Sequence, residues 1–220
     1  MRCLPGASPA SGFQAVMLDP QIRQGVMTRA GFLTAHADVD SSGPVPRGVF
    51  VLYAMLCTAP ISPPPNIPLP PSATAAAAAH ETTRQRFSMH LSQPFCSSCH
   101  SIIDGIGFGF EQFDGTGVYR TTENGSPVDT SGTVTGTDVD GPFVGVSQLS
   151  QKLLGSQEVL SCYAKHVYRF AMGQEESQAS HEVLTAMQSG FTADSHMTDP
   201  FETLVADPAF VLRTTLGTGM

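Results

Sequence analysis

Residues 94–115 read PFCSSCHSIIDGIGFGFEQFDG. Within this stretch Cys96 and Cys99 are separated by two small serines, and His100 follows directly. Two thiols at this spacing can both bond to the vinyl groups of one haem, and the next imidazole then lies under the iron. The pattern therefore predicts a c-type haem that is attached through Cys96 and Cys99 and has His100 as its proximal iron ligand.

Other uses of the two cysteines stay open from the residues alone. A structural zinc site needs four ligands, so Cys57, Cys162 and scattered histidines would have to complete it. A thioredoxin-like redox motif follows a strand in a βαβ pattern, and no such pattern is visible here. A zinc-stabilised, non-catalytic assembly module is therefore an alternative to the haem interpretation.

The ligand on the far side of the iron decides between two kinds of haem protein. A methionine or second histidine there is typical of an electron carrier, whereas an empty position is typical of a peroxidase-like enzyme. We expect Met172, at the end of a downstream helix, or His90, on the helix just before the cysteines. Further candidates for this position are His36, Met55 and His166.

The aromatic and acidic residues after His100 suggest a surrounding pocket. Phe108, Phe110 and Phe113 alternate with glycines that allow close packing, and we expect them to keep water from the haem. Three carboxylates share this segment. Near a haem they could tune its potential or hydrogen-bond a propionate partner such as Arg120, but we expect structural roles for them. They are Asp104, Glu111 and Asp114.

The rest of the sequence predicts a mainly α fold, cytochrome c-like, with a short β-hairpin and a C-terminal helical subdomain. Thr82 or Thr83 can cap a helix that runs to about Ser92, and Asn124-Gly125 is typical of a hairpin turn. Helices in the last part are expected to break near Gly155 and to stop at Gly173. Further helical patterns cover 176–189 and 199–213.

The predicted organisation has three parts. Residues 1–45 form an irregular N-terminal segment, residues 46–140 the haem-binding domain, and residues 141–220 the C-terminal helical domain. The haem-binding domain contains a proline-rich segment at 58–72, which is either a linker or a strap across an apolar surface.

Composition limits the possible partners. The chain has 220 residues, of which 41% are hydrophobic, and a formal net charge of −8. An acidic chain lacks the basic surface that nucleic-acid binding requires. The sequence contains no run of about 18 apolar residues, so we expect no membrane span. The first twenty residues, 1–20, lack the apolar region of a signal peptide.

Several stretches resemble the C-terminal part of large cytochrome-like proteins of planctomycetes and myxobacteria, in which domains of unknown function follow one another. The resemblance runs from about residue 10 to residue 213. It maps the family's haem motif onto Cys96, Cys99 and His100, and its upstream histidine onto His90. The matching stretches are RAGFLT (29–34), SSGPVPRGVFVLYAMLC (41–57), TTRQRFSMHLSQPFCSSCHSIIDGIGFGFEQFDGTGVYR (82–120) and DGPFVGVSQLSQKLLGSQEVLSCYAKHVYRFAMGQ (140–174).

The resemblance implies an exported protein, periplasmic or on the outer cell surface, with one haem c. It implies that the chain is the C-terminal part of a larger protein and that residues 1–45 are the tail of a missing upstream domain. The expected partner is a redox protein or an adjacent domain. Two family cysteines correspond to Cys57 and Cys162, which in an oxidising compartment form a disulfide or otherwise remain two buried thiols.

Overall fold

The computed structural model of this chain describes residues 15–39, 41–58 and 80–211, apart from the side chains of residues 89, 90 and 209. Most of the predicted proline-rich segment, residues 59–72, lies outside the described residues, as do residues 1–14 of the predicted N-terminal segment. The described residues are mainly helical with two small antiparallel sheets. The predicted fold class of helices with a short hairpin is confirmed.

The elements follow one another along the chain in a simple order. A π-helical turn, Val51–Met55, continues directly from α2. The helices are α1 (Ala30–Ala35), α2 (Pro44–Phe50), α3 (Thr83–Ser92), α4 (Pro94–Gly107), α5 (Gly145–Leu154), α6 (Gln157–Met172), α7 (His181–Ser189) and α8 (Asp199–Ala206). The strands are β1 (Thr122–Glu123), β2 (Ser126–Pro127), β3 (Ser131–Val134) and β4 (Gly141–Val144).

The helix that leads to the cysteines begins as the sequence predicts. The Thr82 side chain accepts a hydrogen bond from the Gln85 backbone N–H at 3.2 Å, and the Gln85 side chain accepts one from the Thr82 N–H at 2.7 Å. This reciprocal capping box satisfies two donors at the start of α3. Pro94 does more than end α3, because it occupies the first turn of α4, where its missing N–H costs nothing.

Two glycines allow α2 and α4 to cross with their backbones in contact. A Cβ atom on Gly107 would collide with the carbonyl of Pro44, and a Cβ atom on Gly48 would collide with the carbonyl of Ile103. The two helices therefore need glycine at both points. This crossing fixes the second half of α4 against α2, while the first turns of α4 carry the cysteines.

Buried apolar side chains form two clusters. The first cluster joins α1, the π-helical turn, α4, the β3–β4 sheet and α5, and includes Leu33, Ile106 and Leu149. The second cluster joins α6, α7 and α8. The two clusters meet inside α6. Val159 packs on the first cluster, and Ala164 lies in the second. The predicted domain boundary at residue 141 stays a prediction.

Turns and helix ends follow local signals. Asn124 and Gly125 have φ of 49° and 81° and connect β1 to β2, which confirms the predicted hairpin. Gly173 ends α6 with φ of 65°, in the left-handed region that favours glycine. In the part of the chain that the structure describes, no helix has both the length and the apolar character needed to cross a bilayer.

Candidate functional site

Helix α4 carries the three motif residues in its first two turns. Cys96, Cys99 and His100 stand at positions i, i+3 and i+4, so they share one face of the helix. All three residues are half-buried. The arrangement presents two sulfur atoms and one imidazole on a single, partly exposed face.

A buried carboxylate lies behind the motif histidine. The Nδ1 atom of His100 lies 3.0 Å from Oδ1 of Asp104, one helical turn later. The Asp104 side chain is 0% exposed and that of His100 is 25% exposed. An imidazole that uses Nδ1 in this way has its tautomer and ring orientation fixed, and Nε2 is then the nitrogen that can ligate a metal. Sequence reasoning placed Asp104 in the segment without pairing it, although the spacing of four from His100 was a usable signal.

Two large apolar side chains near the cysteines in sequence are exposed. Cys99 packs on the first core cluster. Phe95, next to Cys96 in α4, is 53% exposed, and Leu91, at the end of α3, is 46% exposed. Large apolar side chains exposed together at a possible cofactor site mark a surface that a ligand or partner can cover.

The three phenylalanines predicted to surround the haem are buried among protein groups. Phe110 and Phe113 belong to the first core cluster, and the ring of Phe113 lies edge-on to Tyr119. The ring of Phe108 lies under the Arg84 guanidinium, 4.5 Å from its carbon atom. The described contacts of these rings are therefore with the protein core, and their role beside a haem stays a prediction.

The Glu111 carboxylate is buried in a polar network at the end of α4. It accepts a hydrogen bond from the Ser42 hydroxyl at 2.6 Å and one from Arg120 at 3.0 Å. Burial raises the pKa of Glu111 to about 7, against the opposing effects of Ser42 and Arg120. Arg120 also pairs with Glu123 at 3.0 Å, and Glu123 in turn accepts from the Thr83 N–H and hydroxyl at 2.7 Å each. The network joins the start of α3 to the segment after α4.

Arg47 of α2 is fully buried beside this network. Its guanidinium donates to the carbonyls of Phe113 and Asp114 at 2.9 Å each and to that of Leu33 at 3.1 Å. Burial lowers the pKa of Arg47 to about 10. Because it satisfies carbonyls on α1 and on the turn after α4, Arg47 ties three segments together around α2.

The residues predicted as a second ligand of a haem iron lie in different places. Met172 packs on the second core cluster, whereas Cys99 packs on the first. His90 belongs to α3, which contacts α4, but its side chain lies outside the described residues. Met55 packs on the first cluster, and His36 packs against the rings of Phe32 and Phe50.

A second sulfur site joins the π-helical turn to α6. Cys57 and Cys162 form a disulfide with a Cα–Cα distance of 5.4 Å across 105 residues of sequence. The Nε2 atom of His166, also in α6, lies 3.9 Å from Sγ of Cys57. Among the described residues, Cys57, Cys162 and His166 are brought together with ligand atoms within 4.8 Å of one another. Sequence reasoning considered His166 only as a haem ligand and missed this grouping.

Comparison with known proteins identifies one similarity. Residues 23–123 match the family model described as PSCyt3: Protein of unknown function (DUF1588). The matched segment contains α1 to α4 and therefore the whole cysteine–histidine motif. The name of the family model agrees with the predicted resemblance to cytochrome-like proteins of unknown function. Neither a curated protein nor a solved structure matches the chain significantly.

Proposed function

We propose that this chain is a c-type cytochrome module that holds one haem through Cys96 and Cys99 and transfers single electrons. The observation that carries the proposal is the arrangement on α4. Two thiols and an imidazole share one face, and a buried carboxylate fixes the imidazole from behind. A carboxylate behind the imidazole also occurs at zinc-binding histidines, so the preference for haem rests on the two thiols that are followed directly by the histidine.

The donor set of α4 fits a covalently bound haem. A bound haem would supply a one-electron iron couple. Cys96 and Cys99 would hold the group as thioethers, and His100 would ligate the iron through Nε2. Asp104 would hold the His100 ring through Nδ1 and make the imidazole a stronger electron donor, which favours the ferric state.

The exposed apolar side chains at the motif suit exchange of electrons with another surface. Phe95 is next to Cys96 in sequence, Leu91 is at the end of the preceding helix, and both side chains are exposed. Cys96, Cys99 and His100 are only half-buried, so a partner could approach the residues that would hold the haem. The proposed partner is a redox protein or an adjacent domain of a larger exported protein.

The proposed location is the periplasm or the outer cell surface. The Cys57–Cys162 disulfide supports it, because structural disulfides persist in oxidising compartments and are rare in the cytosol. In bacteria, c-type haem is also attached outside the cytoplasmic membrane.

For the second axial ligand the proposal names Met172 or His90. The packing of α3 on α4 favours His90, because Met172 packs with the second cluster. We therefore expect His90→Leu to change the absorption spectrum of the haem protein and Met172→Leu to leave it nearly unchanged.

The test of function uses the full chain, expressed with an export signal and haem-maturation proteins. We expect a reversible, one-electron change in absorbance on titration with a mild reductant. We expect the reduced protein to bind carbon monoxide slowly, since an axial ligand must leave first. Immediate carbon monoxide binding would favour an enzyme with an open site, and zinc without iron in metal analysis would overturn both haem interpretations.

A further inference from the structure

Two further atoms that can bind a metal, the Nε2 atom of His166 and the carbonyl oxygen of Ala54, lie next to the Cys57–Cys162 disulfide. His166 approaches Cys57, and the carbonyl oxygen of Ala54 lies 3.1 Å from Nε2 of His166 and 3.7 Å from Sγ of Cys162. We propose that reduction of this disulfide creates a binding site for one Zn²⁺ ion, with Cys57, Cys162, His166 and the Ala54 carbonyl as ligands.

The distances among these atoms match a tetrahedral zinc site. With zinc–sulfur bonds of about 2.3 Å and zinc–nitrogen or zinc–oxygen bonds of about 2.1 Å, the ligand atoms lie about 3.4–3.8 Å apart. Three of the separations in the set are close to this range: 3.1 Å from His166 to the Ala54 oxygen, 3.7 Å from Cys162 to that oxygen, and 3.9 Å from Cys57 to His166. The largest of the known changes is between the two sulfur atoms, which must move from bonding distance in the disulfide to about 3.8 Å apart.

The secondary structure holds the ligands in pairs. Cys162 and His166 are four apart on α6 and therefore share one helix face. Ala54 lies in the π-helical turn, and Cys57 follows this turn by two residues with a positive φ of 50°, which is uncommon for a residue other than glycine. Because each pair is placed by its own segment, reduction leaves the two halves of the site facing each other.

The zinc site is partly buried, and its ligand types favour zinc over other common divalent ions. Cys162 is 1% exposed, whereas Cys57 and His166 are half-buried. A zinc ion would enter from the side of Cys57 and His166 and would lose most of its water. A Cys₂His set with one oxygen ligand suits zinc and excludes magnesium or calcium, which prefer oxygen ligands alone.

The chemistry needs a dithiol reductant. One thiolate of the reductant attacks Sγ of Cys57, the more exposed sulfur, and Cys162 leaves as a thiolate that takes up a proton. The second thiol of the reductant displaces Cys57 as a thiol, and the reductant becomes a disulfide. Zn²⁺ then replaces the two thiol protons, which are released. Disulfide and zinc are therefore mutually exclusive, and each ties the π-helical turn to α6.

The test uses the full chain with Cys3, Cys96 and Cys99 replaced by serine, so that its outcome is independent of haem attachment. After reduction by a phosphine we expect one zinc ion per chain, measured by competition with a chromophoric chelator. The oxidised chain should bind none. His166→Ala should weaken binding at least tenfold, whereas His196→Ala, which removes an exposed histidine elsewhere, should not change it.

X-ray absorption at the zinc edge tests the ligand set without any further variant. We expect two sulfur scatterers and two lighter ones. A reduced chain that binds no zinc would overturn the proposal. A bound zinc without sulfur neighbours, or equal binding by the reduced and oxidised chains, would do the same.

Discussion

His100 and Asp104 are joined at 3.0 Å between Nδ1 and Oδ1, across one turn of α4. The carboxylate is fully buried and the imidazole is partly exposed, so the pair points from the protein interior to the surface. A hydrogen bond from an imidazole to a carboxylate raises the basicity of the ring. In the proposed haem site, Asp104 is therefore a positioning residue that also sets the redox potential.

Asp104→Asn tests this role while keeping the shape of the side chain. We expect haem attachment to persist and the midpoint potential to rise. The difference between a charged and a neutral hydrogen-bond acceptor is about 1–2 kcal/mol, which corresponds to roughly 40–90 mV for one electron. Spectroelectrochemistry measures the shift. Asp194→Asn, at an exposed position in the C-terminal half, is the control and should leave the potential unchanged.

An unchanged potential in Asp104→Asn, with haem still bound, would mean that Asp104 only supports the fold. A variant with altered stability but the same potential would support the purely structural role.

Glu111 predicts a pH dependence of stability. Its pKa is about 7 in the folded chain, against an ordinary value of 4.5, because it is buried. Between these values the folded chain holds a proton that the unfolded chain has lost. Rising pH therefore favours unfolding, and this contribution to stability falls by at most about 3 kcal/mol between pH 4.5 and 7.

Urea unfolding at several pH values gives the free energy of unfolding of the wild-type chain and of Glu111→Gln for comparison. We expect the wild-type chain to lose stability relative to the variant as pH rises from about 4.5 to 7, and the difference to be constant above that. Glu182→Gln, at an exposed helix position, should show no such trend. A difference between wild type and Glu111→Gln that is independent of pH would contradict the raised pKa.

Gly107 is expected to be intolerant of any side chain. Its backbone lies so close to the Pro44 carbonyl that a Cβ atom has no room, so Gly107→Ala forces α2 and α4 apart. Overpacking of this kind costs about 3 kcal/mol. Gly31→Ala, in α1 with no atom within 4 Å of an added Cβ, is the matched control and should stabilise the chain by about 0.5 kcal/mol. Thermal unfolding of both variants compares them, and equal melting temperatures would contradict the close crossing.

Local signals in the sequence were sufficient for much of the fold. The cap at Thr82, the turn at Asn124-Gly125 and the stop at Gly173 each depend on residues close in sequence, and the structure has all three. Helix periodicity likewise predicted the break near Gly155. These features follow from backbone preferences that need no tertiary contact.

Features that depend on long-range contacts were not predictable in the same way. The aromatic run at Phe110 and Phe113 has the same pattern whether it lines a cofactor or fills a core, and the described rings fill the core. The burial of Asp104 depends on helices that are far away in sequence. The approach of His166 to Cys57 spans 109 residues, so no spacing rule indicates it.

Covalent haem on Cys96 and Cys99 is the central claim, and the mass of the denatured chain tests it most directly. The chain is exported and expressed with haem-maturation proteins, alongside a known c-type cytochrome as a positive control. We expect a mass increase of one haem, located on the peptide that contains residues 96–100. Cys57→Ser with Cys162→Ser should keep the increase, and Cys96→Ser with Cys99→Ser should lose it. An unmodified mass in the wild-type chain, while the control cytochrome carries its haem, would contradict the account.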